Sequence, residues 1–306
     1  MLKYIIKRVL ITIPILIGIV FVIFFLLNIV PGDPITIMMK EKIKPAVMEN
    51  LRVRMHLDDP WYIRFAAYVG NALKGDLGVS YKLNREISSL IRDSFPATVK
   101  LTFFSLIVAW LIGLPTGIIS AIKKGKATDG VLMTFSLMGV SMPAFWAGLL
   151  MQYMFAYKLG WLPTSGFETI QQVIMPALCL GWSSSGSISR MTRANLLEVM
   201  KNDYIRTARS KGLSEMKVIV GHALKNSMLP VVTIMAIQVS GLLSGAVITE
   251  MIFAIPGIGR ISVNAIHNRD MPLLQGTAIF TAALIIAGNL IADILYSFLD
   301  PRIRVD

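Results

Sequence analysis

Apolar residues along this chain fall into long, uninterrupted blocks rather than the half-buried alternations of a soluble domain. Six stretches contain no Asp, Glu, Lys or Arg: 9–30, 101–122, 131–157, 169–189, 228–249 and 271–292. Each reaches the ~20 residues that a helix needs to cross a ~30 Å hydrocarbon core. A charge at the centre of a span costs roughly 2.5–3.5 kcal/mol on insertion scales, so charge-free gaps of this length predict membrane spans. The fourth stretch is diluted by Ser183-Ser184-Ser185-Gly186-Ser187, which leaves a re-entrant or cytosolic segment open there. The predicted fold class is all-α: a polytopic membrane protein with six transmembrane helices, a long external loop after the first, and a short cytoplasmic helix between the fourth and fifth.

The first stretch follows Lys3, Lys7 and Arg8, a basic lead like that of a signal peptide. Its apolar run exceeds a 7–15-residue signal core and no small-residue cleavage site follows, so it reads as a retained helix. Basic residues concentrate in 1–8, 123–130, 190–227 and 293–306, whereas the short loops 158–168 and 250–270 carry only Lys158, Arg260 and Arg269. By the positive-inside rule both termini face the cytoplasm. The chain then divides into an N-terminal helix (1–30), an external loop (31–100) and a five-helix core (101–306) that includes the cytoplasmic loop 190–227. Two small-residue pairs, Gly113 with Gly117 and Gly241 with Gly245, suit close helix packing, either within the chain or against another subunit.

The external loop carries folding signals. Asp59-Pro60 supplies an N-cap with proline at the first helical position, and Gly75 supplies a stop. Between them Trp61, Phe65, Tyr68 and Leu73 recur at near-helical spacing, a packing face for the chain itself, the membrane surface or a partner. Gly75-Asp76-Leu77-Gly78 follows as a tight turn. In the cytoplasmic loop, Asp203 can cap a helix over 204–211 that ends at Gly212, and Ser214 can cap a second one running toward Leu224. Ala208 and Gly212 are small enough to let another protein's surface approach. The fifth stretch places Gln238, Gly241, Ser244, Gly245 and Thr249 at three- and four-residue steps along one face. That stripe suits a helix interface or the wall of a water-filled path, and the cost of burying Gln238 in a dry contact favours the path.

Composition narrows the chemistry. Only 16 % of the 306 residues are charged, and the formal net charge is +12. The basic inner loops are explained by topology and by contact with anionic membrane lipid, and no nucleic-acid partner is expected. One cysteine (Cys179, mid-span) excludes a disulfide framework, and His56, His222 and His267 are too dispersed for a metal site. No phosphate-binding G-x-x-x-x-G-K-[ST] sequence occurs. Ser214 and Lys217 form a Ser-x-x-Lys without its companion motifs. No catalytic residue is expected. Asp293 invites a functional reading as an ionisable group in a span, but its place near the inner end suits pairing with Arg302 or Arg304.

Several stretches together resemble one family. Asp203-Tyr204-Ile205-Arg206-Thr207-Ala208-Arg209-Ser210-Lys211-Gly212-Leu213, followed by His222-Ala223-Leu224-Lys225-Asn226-Ser227-Met228-Leu229-Pro230, resembles the cytoplasmic signature loop of binding-protein-dependent ABC import permeases. The dipeptide/oligopeptide (and nickel) branch is the most similar. Val30-Pro31-Gly32-Asp33-Pro34, Gly75 to Gly78, Thr249-Glu250 through Phe253-Ala254-Ile255-Pro256-Gly257-Ile258-Gly259, and Asp293 to Asp300-Pro301-Arg302-Ile303-Arg304 match the same branch. Where such importers generally open the loop with Glu-Ala-Ala, Arg206-Thr207-Ala208 stands here, so a glutamate-mediated docking contact is not carried over. The resemblance implies that Asp203 to Gly212 form the coupling helix that docks on an ATPase. It also implies a second homologous permease subunit, two cytoplasmic ATPase subunits carrying the ATP and Mg, and an extracytoplasmic substrate-binding protein. The chain would hold no cofactor of its own and would lie in the cytoplasmic (inner) membrane of a bacterium or archaeon. Permeases for nickel complexes, glutathione or another small solute are the alternatives within the family. A proton-coupled transporter using Asp293 or Glu250 is the alternative outside it, and an intramembrane hydrolase lacks a nucleophile–base pair.

Overall fold

The computed structural model describes residues 2–29 and 59–299. The motif from Val30 to Pro34 and the segment from Asp300 to Arg304, including the predicted partners of Asp293, lie outside the described residues. Among those described the fold is all-α, with one isolated bridge between Val79 and Glu86. The chain runs through α1 (Leu2–Ile29), α2 (Trp61–Ala72), α3 (Ile87–Ile122), α4 (Ala127–Ser141) and α5 (Ala144–Met151), which continues as a π-helical turn, Gln152–Lys158. It continues through α6 (Ile170–Val199), α7 (Asp203–Ser210) and α8 (Glu215–Lys217), which passes through a π-helical turn, Val218–Leu224, into α9 (Lys225–Leu243). The last three are α10 (Val247–Ile252), α11 (Ile258–His267) and α12 (Met271–Leu299).

Among the described residues, Arg8–Leu26, Ile87–Ile122, Glu215–Leu243 and Met271–Ile294 are long and apolar enough to cross a membrane. The stretch predicted as a single third span is two helices, α4 and the α5 segment, bent by 104°. The cause is Pro143, whose ring disfavours helical backbone at the residue before it; Met142 is extended at φ −78°, ψ 126°. Counted as one span, this pair makes a fifth. The diluted fourth stretch lies within the continuous helix α6, yet it does not reach the same apolarity. Its small polar residues meet protein: Ser185 and Ser189 are buried, and Ser189 Oγ donates to Gly113 O at 3.1 Å.

Glycines set the spacing of this core. A Cβ at Gly117 would stand 2.6 Å from Ser189 O and 2.7 Å from Thr192 Cβ, and one at Gly113 would stand 2.8 Å from Ile188 Cβ. The Gly113/Gly117 pair therefore serves packing of α3 on α6 within the chain. Gly241 has open space around it, so the second small-residue pair does not repeat that use. α3 is 36 residues long, about 54 Å at 1.5 Å per residue. It extends well beyond the hydrocarbon thickness, and the division placed at residue 100 falls inside this one helix.

The aromatic stripe of α2 packs on the chain's own first helix. Phe65 meets Phe21 and Phe24 edge-on with ring centroids 5.4 Å apart, and Trp61 and Tyr68 flank them at 6.0 and 6.4 Å. Leu73 does not join, being 84 % exposed. α2 starts one residue later than expected, with Pro60 rather than Asp59 at the N-cap position. Asp270 at the start of α12 fastens the turn after Gly78. Its carboxylate accepts hydrogen bonds from Ser80 Oγ and from the backbone N–H groups of Tyr81 and Lys82, both at 3.2 Å. Burial pushes the Tyr81 phenol up to about 12. At the opposite end of α1 and α12, Asp293 pairs with Arg8 of α1 at 3.0 Å.

Candidate functional site

The signature sequence from Asp203 forms α7. Its start is one residue earlier than the sequence suggested: Asn202 holds the extended N-cap position (φ −68°, ψ 148°), and Asp203 is the first helical residue. Asp203 in the first turn and Arg209 in the last suit the helix dipole. Gly212 stops the helix with φ +77°, a left-handed backbone that favours glycine. A Cβ there would meet nothing within 4 Å, so conformation, not crowding, explains the glycine.

Ile205 and Ala208, three residues apart, are the buried face of α7. They sit on Ala121 at the end of α3, Leu196 of α6, Val218 and Ala223. Ala208 therefore faces its own chain, at 7 % exposure, and does not offer the close approach to another protein that its size suggested. The opposite face is polar and open: Asp203, Tyr204, Arg206, Thr207, Arg209, Ser210, Lys211 and Gly212 are all exposed. Arg209 holds Glu215 with two parallel bonds, Nε to Oε2 at 3.0 Å and Nη2 to Oε1 at 2.6 Å, which ties α7 to α8. The same bonds raise the pKa of the Arg209 guanidinium further. Tyr204 Oη accepts from Asn226 Nδ2 at 3.1 Å. Ser214 holds the N-cap position of α8, but the helix does not stop near Leu224. It runs on through the π turn into α9.

The predicted path stripe is not continuous. α9 ends at Leu243, Gly245 turns the chain with φ +107°, and α10 begins at Val247. Gln238 and Gly241 remain together on α9. Gln238 Nε2 donates to Ser184 O at 2.9 Å, and Ser244 Oγ caps Gly241 O at 2.7 Å. Thr249 is removed from that face: it lies on α10, 1 % exposed. Beside it the motif from Thr249 to Gly259 encloses the Glu250 carboxylate, which is fully buried. Thr98 Oγ1 donates to Oε1 at 2.9 Å and Arg260 N donates to Oε2 at 3.0 Å. Thr98 Oγ1 in turn accepts from Ile258 N at 2.9 Å. Side chains at Gly257 or Gly259 would strike the carboxylate, which explains both glycines. The Arg260 guanidinium turns away, to Ala254 O at 2.7 Å. Glu250 is thus a capping carboxylate at the start of α11, closed off from solvent.

Sequence reasoning missed one further polar centre. Asp129 at the start of α4 is buried and forms a two-bond ion pair with Arg193 of α6, both distances 2.8 Å. Its signal was an acidic residue in the first turn after a run of lysines; the partner lies 64 residues away, beyond any local pattern.

Comparison with known proteins places this arrangement. The family model described as "Binding-protein-dependent transport system inner membrane component" matches residues 113–305, and its N-terminal companion matches residues 1–102. A dipeptide transport system permease of Alkalihalophilus pseudofirmus is 38 % identical over 332 residues, covering 99 % of this chain and 100 % of the relative. An oligopeptide permease of Bacillus subtilis is 38 % identical over 315 residues with the same coverage. A glutathione permease of Escherichia coli K12 is 38 % identical over 304 residues, covering 99 % of each. Among solved structures, an inward-facing form of the MetNI methionine ABC transporter aligns at TM-score 0.59 and 16 % identity, covering 69 % of this chain and 96 % of that one. That likeness shows a shared permease fold. With family models reaching nearly end to end over a helical membrane fold, the chain belongs to the binding-protein-dependent transport system inner membrane components, as a multi-pass permease of the ABC importer type.

Proposed function

We propose that this permease forms half of the translocation path of an ATP-driven dipeptide/oligopeptide importer, with a second homologous permease subunit forming the other half. Two cytoplasmic ATPase subunits bind and hydrolyse the ATP, and an extracytoplasmic binding protein delivers the substrate. Both termini face the cytoplasm, with α6 counted as the sixth span. The observation that carries this reading is α7: a short helix fixed to the inner ends of α3 and α6 by Ile205 and Ala208, with its polar face left open. A helix held this way moves with the spans it is seated on. Closure of the ATPases on the exposed face from Asp203 to Gly212 is converted into movement of α3 and α6, and the path opens alternately to either side. Gln238, Gly241, Ser244 and Gly245 are the path-facing candidates on this chain; Gly241, with open space beside it, leaves room for varied side chains.

The names of the relatives support a peptide substrate, and the glutathione permease at equal identity supports a tripeptide-like solute as the second reading. The test is reconstitution in vesicles with the companion permease, the ATPases and the binding protein. The lone subunit hydrolyses no ATP, and the complex takes up labelled dipeptide in an ATP-dependent manner. Uptake competed by glutathione but by no dipeptide assigns the second reading. ATP turnover by the lone polypeptide, free of contaminants, overturns both.

A further inference from the structure

We infer that the Asp129–Arg193 ion pair is a positioning element that makes α4 follow the coupling helix α7 through the transport cycle. The inference rests on the coupling role proposed for α7. Four donors converge on the Asp129 carboxylate. Arg193 Nε and Nη2 donate at 2.8 Å each, Gly125 N donates at 3.0 Å, and Ser120 Oγ donates to Oδ1. These donors come from α6, from the α3–α4 turn and from the end of α3, so one carboxylate joins the inner ends of three helices.

The same inner ends carry α7. Ser120 is followed by Ala121, and Leu196 lies one turn beyond Arg193; Ala121 and Leu196 form the seat of Ile205 and Ala208. α3 and α6 therefore hold α7 by apolar contact on one side and α4 by charge on the other. α4 has a second attachment farther along. A Cβ at Gly139 would stand 2.8 Å from Trp182 O, Trp182 Nε1 donates to Phe135 O at 3.2 Å, and the two rings stack at 5.3 Å. Fastened to α6 at the ion pair and along this seam, where Gly186 also meets Ser136 O, α4 is a lever that ends at the 104° bend at Met142 and Pro143. A largely apolar recess lies there, lined by Met138, Ser141, Met142, Pro143, Phe145 and Trp146. Movement received by α7 at the membrane surface thus reaches this recess through α4.

A buried ion pair adds little net stability over well-packed apolar residues. A two-bond guanidinium–carboxylate fork instead fixes relative orientation. Without it α4 keeps the seam that Ser136 and Gly139 make with Gly186 and Trp182, and its Asp129 end is released.

The experiment uses the reconstituted complex and reads uptake per ATP hydrolysed, normalised to assembled complex. Asp129→Asn and Arg193→Lys hydrolyse ATP at near the parental rate, while uptake per ATP falls about tenfold, within the usual range of coupling between sites. In a chain with Cys179 replaced, Asp129→Cys with Arg193→Cys shows the same loss, and bridging the two thiols with a short bifunctional reagent restores the ratio. An unchanged ratio in the single variants, with uptake and hydrolysis falling together as less complex assembles, overturns the inference. So does failure of the bridge to restore coupling. Cross-linking of Lys211→Cys to an ATPase subunit in the same vesicles separates the two levels. Its absence overturns the coupling role on which the inference rests, and its presence with an unchanged ratio overturns the role of the ion pair alone.

Discussion

Truncating Ile205 to alanine tests how α7 is held. An eight-residue helix is too short to persist in water by its own hydrogen bonds, because nucleation is costly and isolated helices below about 12–15 residues are marginal. Its order comes from the seat, and Ile205, at 0 % exposure, is the larger of its two buried side chains. Ile205→Ala removes three carbons at about 0.8 kcal/mol each and leaves a cavity, for a loss of about 2–4 kcal/mol. At 1.4 kcal/mol per factor of ten, local opening rises about 30- to 700-fold. Amide hydrogen exchange across α7 reads this directly where exchange reports the opening equilibrium. The helices of the spans, which do not depend on this seat, keep their protection. Ile205→Val loses only about 0.5–1.5 kcal/mol and gives a proportionately smaller change. Unaltered exchange in Ile205→Ala, with the subunit inserted and folded, refutes the claim that this contact holds the helix.

Three further outcomes follow. Gly212→Val places a β-branched residue at φ +77° at a cost of about 1–2 kcal/mol, and ATP-coupled uptake falls while Gly212→Asn, tolerant of that backbone, retains it. Gly117→Val drives a side chain into Ser189 O and Thr192 and lowers the amount of folded subunit, as overpacking costs about 1–3 kcal/mol; Gly241→Ala, with open space around it, leaves folding unchanged, whereas Gly241→Leu impairs transport. For orientation, single cysteines at exposed Leu73 and Tyr157 label with a membrane-impermeant thiol reagent in intact cells and those at Lys124 and Lys211 do not, after replacement of Cys179; the reverse pattern inverts the topology.

What the sequence makes legible is local. Charge-free length identifies α1, α3, α9 and α12 because exclusion of charge from lipid acts on each segment by itself. α7 is legible from Asp203 to Gly212 because dipole-compatible charges and a glycine stop are neighbours in the chain. Ala208 was misread although Ile205 and Ala208 share a helical face at three-residue spacing, which already assigns both to one side. The broken path stripe had its signal in Gly245, read as a small packing residue when its use is a left-handed turn. Contacts across the fold are different. Nothing near Asp129 announces Arg193, nothing near Ser80 announces Asp270, and the closed pocket around Glu250 needs Thr98 from α3 as well as Gly257 and Gly259. α6 shows the remaining limit: Ser185 and Ser189 weaken the span signal yet are buried against α3, a fact of tertiary structure that hydropathy does not register.

The central claim is that the exposed face of α7 receives the ATPase. Single cysteines at Tyr204, Arg206 and Lys211, in a chain lacking Cys179, are placed in the assembled complex and treated with a short thiol cross-linker that also reaches cysteines lining the membrane-facing groove of the ATPase subunit. The account predicts cross-links from these exposed positions, with yields that change between nucleotide-free and ATP-bound states, and none from a cysteine at buried Ala208. An assembled, transport-active complex with no cross-link from any position on the exposed face in either state contradicts it.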